Sequence, residues 1–357
     1  MTPTSLHLVI HNEAVVQAQG LPPVAAQALA SLYPQFVTDA SALVPDLTLH
    51  PLPGDVPMPA RAQQMQIYFG FVIGDWRGEP AIQVFRKGRA DLIIPLAPPM
   101  RIFFRPVDGI QRRLQWALSF CLWWFFSHKK LLLLHGAFLE KDGKRILLAG
   151  HRGSKKTLLT LAMLHQGWDF LTDDKALIRQ QIALPFAPPV LTLHNHHLAV
   201  LPWLRQRLPK GMSVDRWAGL RAMARTLVLH HLPARLHAAM DRIANPHVHL
   251  PVTTLFPECR ILRESRPDKA IILMPGKRFS LEPLSREEGR RCLALVATLA
   301  YEEFSTLARM VALYHPAWES PEFQELLDVQ MPTDQFLLAR IPEDADVEQA
   351  MEAFARC

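Results

Sequence analysis

The sequence predicts an α/β protein, and three observations along one stretch carry that prediction. An apolar run, Arg145 to Ala149, leads straight into Gly150. After a short polar loop an apolar helical pattern covers Thr157 to His165, with Gly167 placed to end it. A second apolar run, Trp168 to Thr172, then ends on the pair Asp173-Asp174. Strand, loop, helix, strand, acid is the layout of a phosphate-binding α/β core, because the helix N-terminus presents unpaired N–H groups to an anion.

The rest of the chain is read around that core. The first hundred residues are rich in proline, with turns at Pro22-Pro23, Pro51 to Pro59 and Pro98-Pro99 and strand-like runs at Gln66 to Ile73, Ala81 to Phe85 and Asp91 to Ile94. A small N-terminal α/β domain is expected over residues 1–107. His50 and the scattered acids there are read as structural or solvated. Longer elements follow: a helix over Arg112 to Phe126, a strand over Leu131 to Glu140 and a turn at Asp142-Gly143. Beyond Pro185 the chain is again rich in proline and histidine, and the basic region from Trp203 to His249 is expected to be helical. Strands are expected at Ile271 to Met274, Phe279 to Leu281 and Phe336 to Ile341, and a closing helix at Val347 to Phe354. Ser285 and Glu288 have capping-box spacing, which would open a long helix ending near Ala308.

Composition excludes several classes. At 49% hydrophobic content in 357 residues, real cores are expected rather than a disordered chain. The basic surplus is small, 39 Lys and Arg against 33 Asp and Glu, and it is dispersed, so no nucleic-acid partner is expected. Cys121, Cys259, Cys292 and Cys357 stand far apart, which gives neither a disulfide framework nor a zinc module. The N-terminus lacks a secretory pattern, and a cytoplasmic location is expected. Trp116 to Phe126 is the strongest membrane candidate, yet it is shorter than the roughly 20 residues a spanning helix needs. It is read as a buried core helix, without stable membrane insertion.

The loop itself is Gly150-His151-Arg152-Gly153-Ser154-Lys155-Lys156-Thr157. A P-loop reads Gly, four residues, Gly, Lys, Ser or Thr, so that backbone amides converge on phosphate oxygens, the lysine reaches the β and γ phosphates and the hydroxyl meets magnesium. Gly150, Lys156 and Thr157 are in register, whereas Lys155 occupies the second glycine's place. Forcing a side chain into that backbone conformation costs on the order of 1–3 kcal/mol. Arg152 and Lys155 add positive charge that offsets part of the loss.

The run LLHGAFLEKDGKRILLAGHRGSKKTLLTLAMLHQGWDFLTDD resembles the core of the HPr kinase/phosphorylase family, whose fold is shared with phosphoenolpyruvate carboxykinases. His135-Gly136, the loop at Gly150 to Thr157, and Asp173-Asp174 match that family's motifs in order and spacing. The resemblance implies a P-loop kinase core of the HPr kinase C-terminal type, a mixed sheet flanked by helices, over residues 108–305, with 306–357 packing on it as an extension. It implies ATP and Mg²⁺ as cofactors and a peptide, protein or small-molecule hydroxyl as acceptor. Asp173 would be the catalytic base with His135 beside it, and backbone amides from His151 to Thr157 would cradle the phosphates. Lys156 would neutralise them, and Thr157 and Asp174 would hold the metal. The departures are Lys155 and the absence of a downstream acidic segment, where His194-Asn195-His196-His197 stands instead. Those histidines are read as bordering the acceptor pocket or lying on the surface, with a transition-metal set as the alternative. A nucleotide-binding protein that has lost turnover is the alternative function, and a homo-oligomer is left open.

Overall fold

The structure is a computed structural model that describes residues 4–39, 42–57, 64–65, 70–107, 109–151, 153–209, 247–331, 333–342 and 347–356. Most of the basic region predicted as helical, residues 210–246, lies outside the described residues, as do Gln66 to Phe69 of the first strand-like run. The chain forms a mixed α/β architecture in two compact units. Met1–His135, Lys175–Pro188 and Arg290–Pro332 make the first, and Gly136–Asp174, Pro189–Gly289 and Thr333–Cys357 make the second.

In the first unit, strands β1 (Thr4–Ile10), β2 (Ala14–Leu21), β3 (Leu47–Pro51), β4 (Gln64–Met65), β5 (Phe71–Trp76), β6 (Glu79–Arg86), β7 (Arg89–Pro95) and β8 (Met100–Phe104) form one mixed sheet ordered β1-β2-β3-β8-β7-β6-β5-β4. Strict alternation explains β1 and β2: Leu6, Leu8 and Ile10 are buried on one side and Ala14, Val16 and Ala18 on the other strand. Helix α1 (Pro23–Leu32) follows β2, opened by a proline at its first position and buried through Ala25, Ala26 and Leu29. A smaller sheet joins β9 (Leu132–His135), β13 (Lys175–Arg179) and β14 (Ile182–Pro185).

The membrane-candidate segment is a helix, α2 (Gln111–His128), with Leu114, Leu118, Phe120, Leu122, Trp123 and Phe126 all buried. Its aromatic side chains meet those of the helix Glu302–Ala312: Phe120 lies edge-on to Phe304, with ring centroids 5.7 Å apart, and Trp116 Nε1 donates to Glu303 Oε1 at 2.7 Å. Among the described residues no helix is long and apolar enough to cross a membrane.

The second unit is built on a six-stranded mixed sheet. Its strands are β10 (Ala137–Lys141), β11 (Lys144–Gly150), β12 (Asp169–Thr172), β17 (Lys269–Pro275), β18 (Ser280–Leu284) and β19 (Gln335–Ile341), ordered β12-β10-β11-β17-β19-β18. The pairs β11/β17 and β17/β19 are parallel and the others antiparallel. The helix α3 (Lys156–His165) and the helix Val347–Arg356 share one core with this sheet, through Leu158, Leu161, Met163, Ala350, Met351 and Phe354. Burying each large aliphatic side chain contributes about 1.5–3 kcal/mol. At the opposite end of β11, Arg145 clamps Asp268 with its guanidinium, Nη2 to Oδ1 at 2.6 Å, which fixes β11 to the start of β17. A two-stranded ribbon, β15 (Val190–His194) with β16 (His247–Pro251), completes the unit.

The end of the region expected to be helical to His249 is a strand instead, since His247 to His249 belong to β16, and two further elements differ from the sequence expectation. The single strand expected from Leu131 to Glu140 is divided into β9 and β10 at Gly136. There the backbone N–H donates to the Asp174 carbonyl at 2.9 Å, and a Cβ would stand 2.6 Å from Leu147 Cδ1. The long helix expected to end near Ala308 is two helices, Arg286–Ala300 and Glu302–Ala312. Buried Tyr301 breaks it, with φ −120° and ψ 22°, and stacks on Phe323 at 5.8 Å. The capping box that opens the first of them is present: the Glu288 N–H donates to Ser285 Oγ at 3.3 Å, and Glu288 Oε2 accepts from the Ser285 N–H at 3.1 Å.

Candidate functional site

In the second unit β11 delivers Gly150 to the rim of the sheet, in parallel register with Leu273. The chain then turns, with the Ser154 N–H donating to the His151 carbonyl at 3.1 Å and Gly153 exposed at φ +86°. Arg152 lies outside the described residues. Ser154 folds inward over Gly150: a Cβ on that glycine would lie 2.3 Å from Ser154 Oγ and 3.0 Å from the Leu273 carbonyl oxygen. Ser154 is buried, and its hydroxyl has no hydrogen-bond partner among the described residues. An unmet buried hydroxyl costs about 1–3 kcal/mol, so a hydrogen-bonding group brought into the loop would recover part of that. Gly150→Ala is expected to destabilise the protein by about 1–3 kcal/mol through overpacking, read as a lower denaturation midpoint at unchanged slope.

Lys155 precedes α3 in the left-handed region, φ 65° and ψ 16°. This is a conformation that glycine adopts without strain, so the loop keeps the glycine-like backbone despite its side chain. The ammonium Nζ donates to the Pro342 carbonyl at 2.7 Å, just past the end of β19.

Lys156, the first residue of α3, is 7% exposed. Burial pushes its ammonium below the usual lysine range, and the carboxylates of Asp173 and Asp174 pull it back up. Asp173 is half-buried at the end of β12, and desolvation raises its carboxyl above the ordinary range. Lys156 opposes that shift, as do hydrogen bonds from the Thr157 and Thr160 hydroxyls, while Asp174 adds to it. Thr160 Oγ1 stands 2.8 Å from Asp173 Oδ1 and 3.0 Å from the Lys156 carbonyl oxygen, so one proton is shared between two acceptors. Asp174 is exposed, and its N–H donates to Thr172 Oγ1 at 3.3 Å. Loop, lysine, two hydroxyls and two carboxylates thus converge at one end of the sheet. Thr160 is a member that sequence reasoning missed. It was legible in the spacing, since it follows Lys156 by four residues and Thr157 by three, on the same helical face.

His135 sits in the first unit, ending β9 opposite Lys175. His194, His196 and His197 lie together where β15 passes into the short helix Asn195–Val200, with ring centroids 4.2–5.5 Å apart. The His197 N–H donates to the His194 side chain, and the His194 N–H donates to His197 Nδ1 at 3.2 Å, a reciprocal cap. Burial lowers His196 below the ordinary histidine range, and the charge of Lys155 lowers it further. Among the described residues no group of three or more His, Cys, Asp or Glu is placed to hold a metal ion.

Burial makes His197 a pH-sensitive element. Burial and the two neighbouring histidines hold its pKa down to about 3. An unfolded chain therefore binds one proton more than the folded one between that value and the ordinary histidine range near 6.5. Stability is expected to rise with pH through that window and fall on acidification, by up to about 1.4 kcal/mol per pH unit. His197→Asn, whose amide oxygen replaces Nδ1 as acceptor, should remove this component of the slope in thermal melts run from about pH 6.5 down.

No family model matches the chain, and no curated protein matches it. A search of solved structures finds the Hpr(Ser) kinase/phosphatase from Coxiella burnetii, at 14% identity over 43% of this chain and 78% of that one, with a TM-score of 0.23. At that level the likeness carries no functional argument, and the functional reading stands on the geometry around Gly150, Lys156 and Asp173.

Proposed function

We propose that the second unit binds the triphosphate of ATP in the Gly150 to Thr157 loop and acts as a kinase, passing the γ-phosphate to an acceptor hydroxyl. The observation that carries this reading is the closeness in sequence of a buried lysine and a buried serine hydroxyl that has no hydrogen-bond partner among the described residues, both at the start of α3. A buried ammonium and an unmet hydroxyl both gain from an anion, and the helix N-terminus adds amides and dipole of the right sign. The residues present therefore fit a polyphosphate.

In this reading the amides from His151 to Thr157 bind phosphate oxygens, and Lys156 neutralises the β and γ phosphates. Thr157 and Asp174 are the groups that would hold Mg²⁺, which when bound would offset charge on the transferring phosphoryl group. Asp173 accepts the acceptor's hydroxyl proton, oriented by the Thr157 and Thr160 hydroxyls that hydrogen-bond to it. The acceptor class is a hydroxyl of a peptide, protein or small molecule.

A second reading, nucleotide binding without efficient transfer, is favoured by Lys155, whose left-handed backbone and tie to Pro342 restrain the loop. Lys155→Gly separates the two. It should relieve about 1 kcal/mol of backbone strain and leave the loop free of the Pro342 tether. Labelled ATP with Mg²⁺ and candidate acceptors, followed for transfer and for hydrolysis, provides the measurement. Transfer by the natural chain that disappears in Asp173→Asn supports the kinase. Binding without transfer, with turnover appearing only in Lys155→Gly, supports the second reading, and no nucleotide binding by either chain would refute both.

A further inference from the structure

We propose that the first unit carries a separate anion site, for a small phosphate-bearing ligand, in the cavity at the turn between β6 and β7. This cavity has a volume of about 280 Å³ and is lined by Arg86, Lys87, Arg89, Arg105 and Val107. Four of its five lining residues are cations.

The backbone forces those charges together. Lys87 and Gly88 have φ of +51° and +75°, the left-handed pair of a two-residue hairpin turn, and the ladder sets Arg86 directly opposite Arg89. Like charges placed opposite each other on a hairpin destabilise it, and a sequence free of other constraints would put an acid in one of the two positions. Arg105 enters from the segment after β8 and is fixed rather than free. Its guanidinium hydrogen-bonds to Asp91, its N–H donates to the Asp91 carbonyl at 2.9 Å, and Asp91 is fully buried and also paired with Arg113 at 3.2 Å. Asp55 pairs with Arg89 at 2.6 Å on the exposed side. Among the described residues Arg86 and Lys87 make no ion pair, which leaves the cavity a surplus of donors with no acid in its lining.

The Arg105 guanidinium, fixed by Asp91, offers a planar fork that matches the oxygens of a phosphate better than a single point charge does. The volume is just under the range of pockets for drug-sized ligands, which suits a phosphorylated small molecule or an exposed phosphate headgroup. This site stands independently of the loop at Gly150, so either reading can fail alone.

Calorimetric titration of full-length Lys156→Met with pyrophosphate at low salt tests it, because that substitution removes the lysine of the other anion cradle. One binding event is expected to remain. Adding Arg86→Gln and Lys87→Gln, both at exposed positions, should weaken it about tenfold or more without lowering the thermal melt, and added salt should weaken it further. A flat titration of Lys156→Met at millimolar pyrophosphate would overturn the proposal, as would affinity unchanged by the double substitution or equal affinity for malonate. Co-sedimentation with phosphatidylcholine vesicles carrying a phosphoinositide assigns the source. Pelleting that depends on Arg86 and Lys87 points to a lipid headgroup, and pyrophosphate binding without pelleting points to a soluble ligand.

Discussion

Lys156→Met is expected to weaken binding of a non-hydrolysable ATP analogue by about 30–100-fold, the loss of one charge-assisted contact worth roughly 2–3 kcal/mol. The lysine is buried at the first turn of α3, so its ammonium cannot be replaced by a neighbouring side chain swinging in from solvent. Thermal melts give a parallel readout. A ligand that binds only the folded chain raises the melting temperature with its concentration, and that rise should shrink to near zero in Lys156→Met over the same concentration range. Methionine keeps the length and apolar stem of the side chain, which limits the change to the charge.

Asp173→Ala is expected to cost about 2–3 kcal/mol of folding stability, measured by urea denaturation, because removing the carboxylate leaves the buried Lys156 ammonium without the charge that offsets its desolvation. The value is set at the low end because Asp173 is half-buried rather than fully enclosed. The Thr157 hydroxyl also loses this acceptor, and the Thr160 hydroxyl loses one of its two. The double variant Lys156→Met with Asp173→Ala should recover more than half of the loss, since no buried charge then remains. Equal losses in the single and double variants would mean that the carboxylate acts through the hydroxyls alone. Asp173→Asn keeps the shape and is the variant for activity: transfer should fall about 100-fold or more while nucleotide affinity changes little.

The local order of elements around the loop was legible in the sequence because each boundary has a chemical marker. Gly150 ends β11, Gly167 follows α3, and the acids follow β12, so apolar runs and their terminators agree. The capping box at Ser285 was legible for the same reason. What was not legible depends on contacts distant in sequence. Nothing local marks Tyr301 as a helix break, because the cause is its packing among Trp123, Phe304 and Phe323. The split of the first expected strand at Gly136 follows from a hydrogen bond to Asp174, 38 residues away in the chain. Lys155 was read as an obstacle in the glycine position. Its left-handed backbone agrees with that reading, and its tie to Pro342, which only the tertiary structure reveals, shows where the ammonium goes. The three histidines at the end of β15 offered a metal set to the eye, yet two of them are engaged in capping each other's backbone.

The most direct test is a crystal structure of the full-length protein with a non-hydrolysable ATP analogue and Mg²⁺. The triphosphate should lie against the amides between His151 and Thr157, with Lys156 and the Ser154 hydroxyl both bonded to its oxygens. A triphosphate bound elsewhere, with Ser154 Oγ still folded over Gly150 and unmet, would contradict the account.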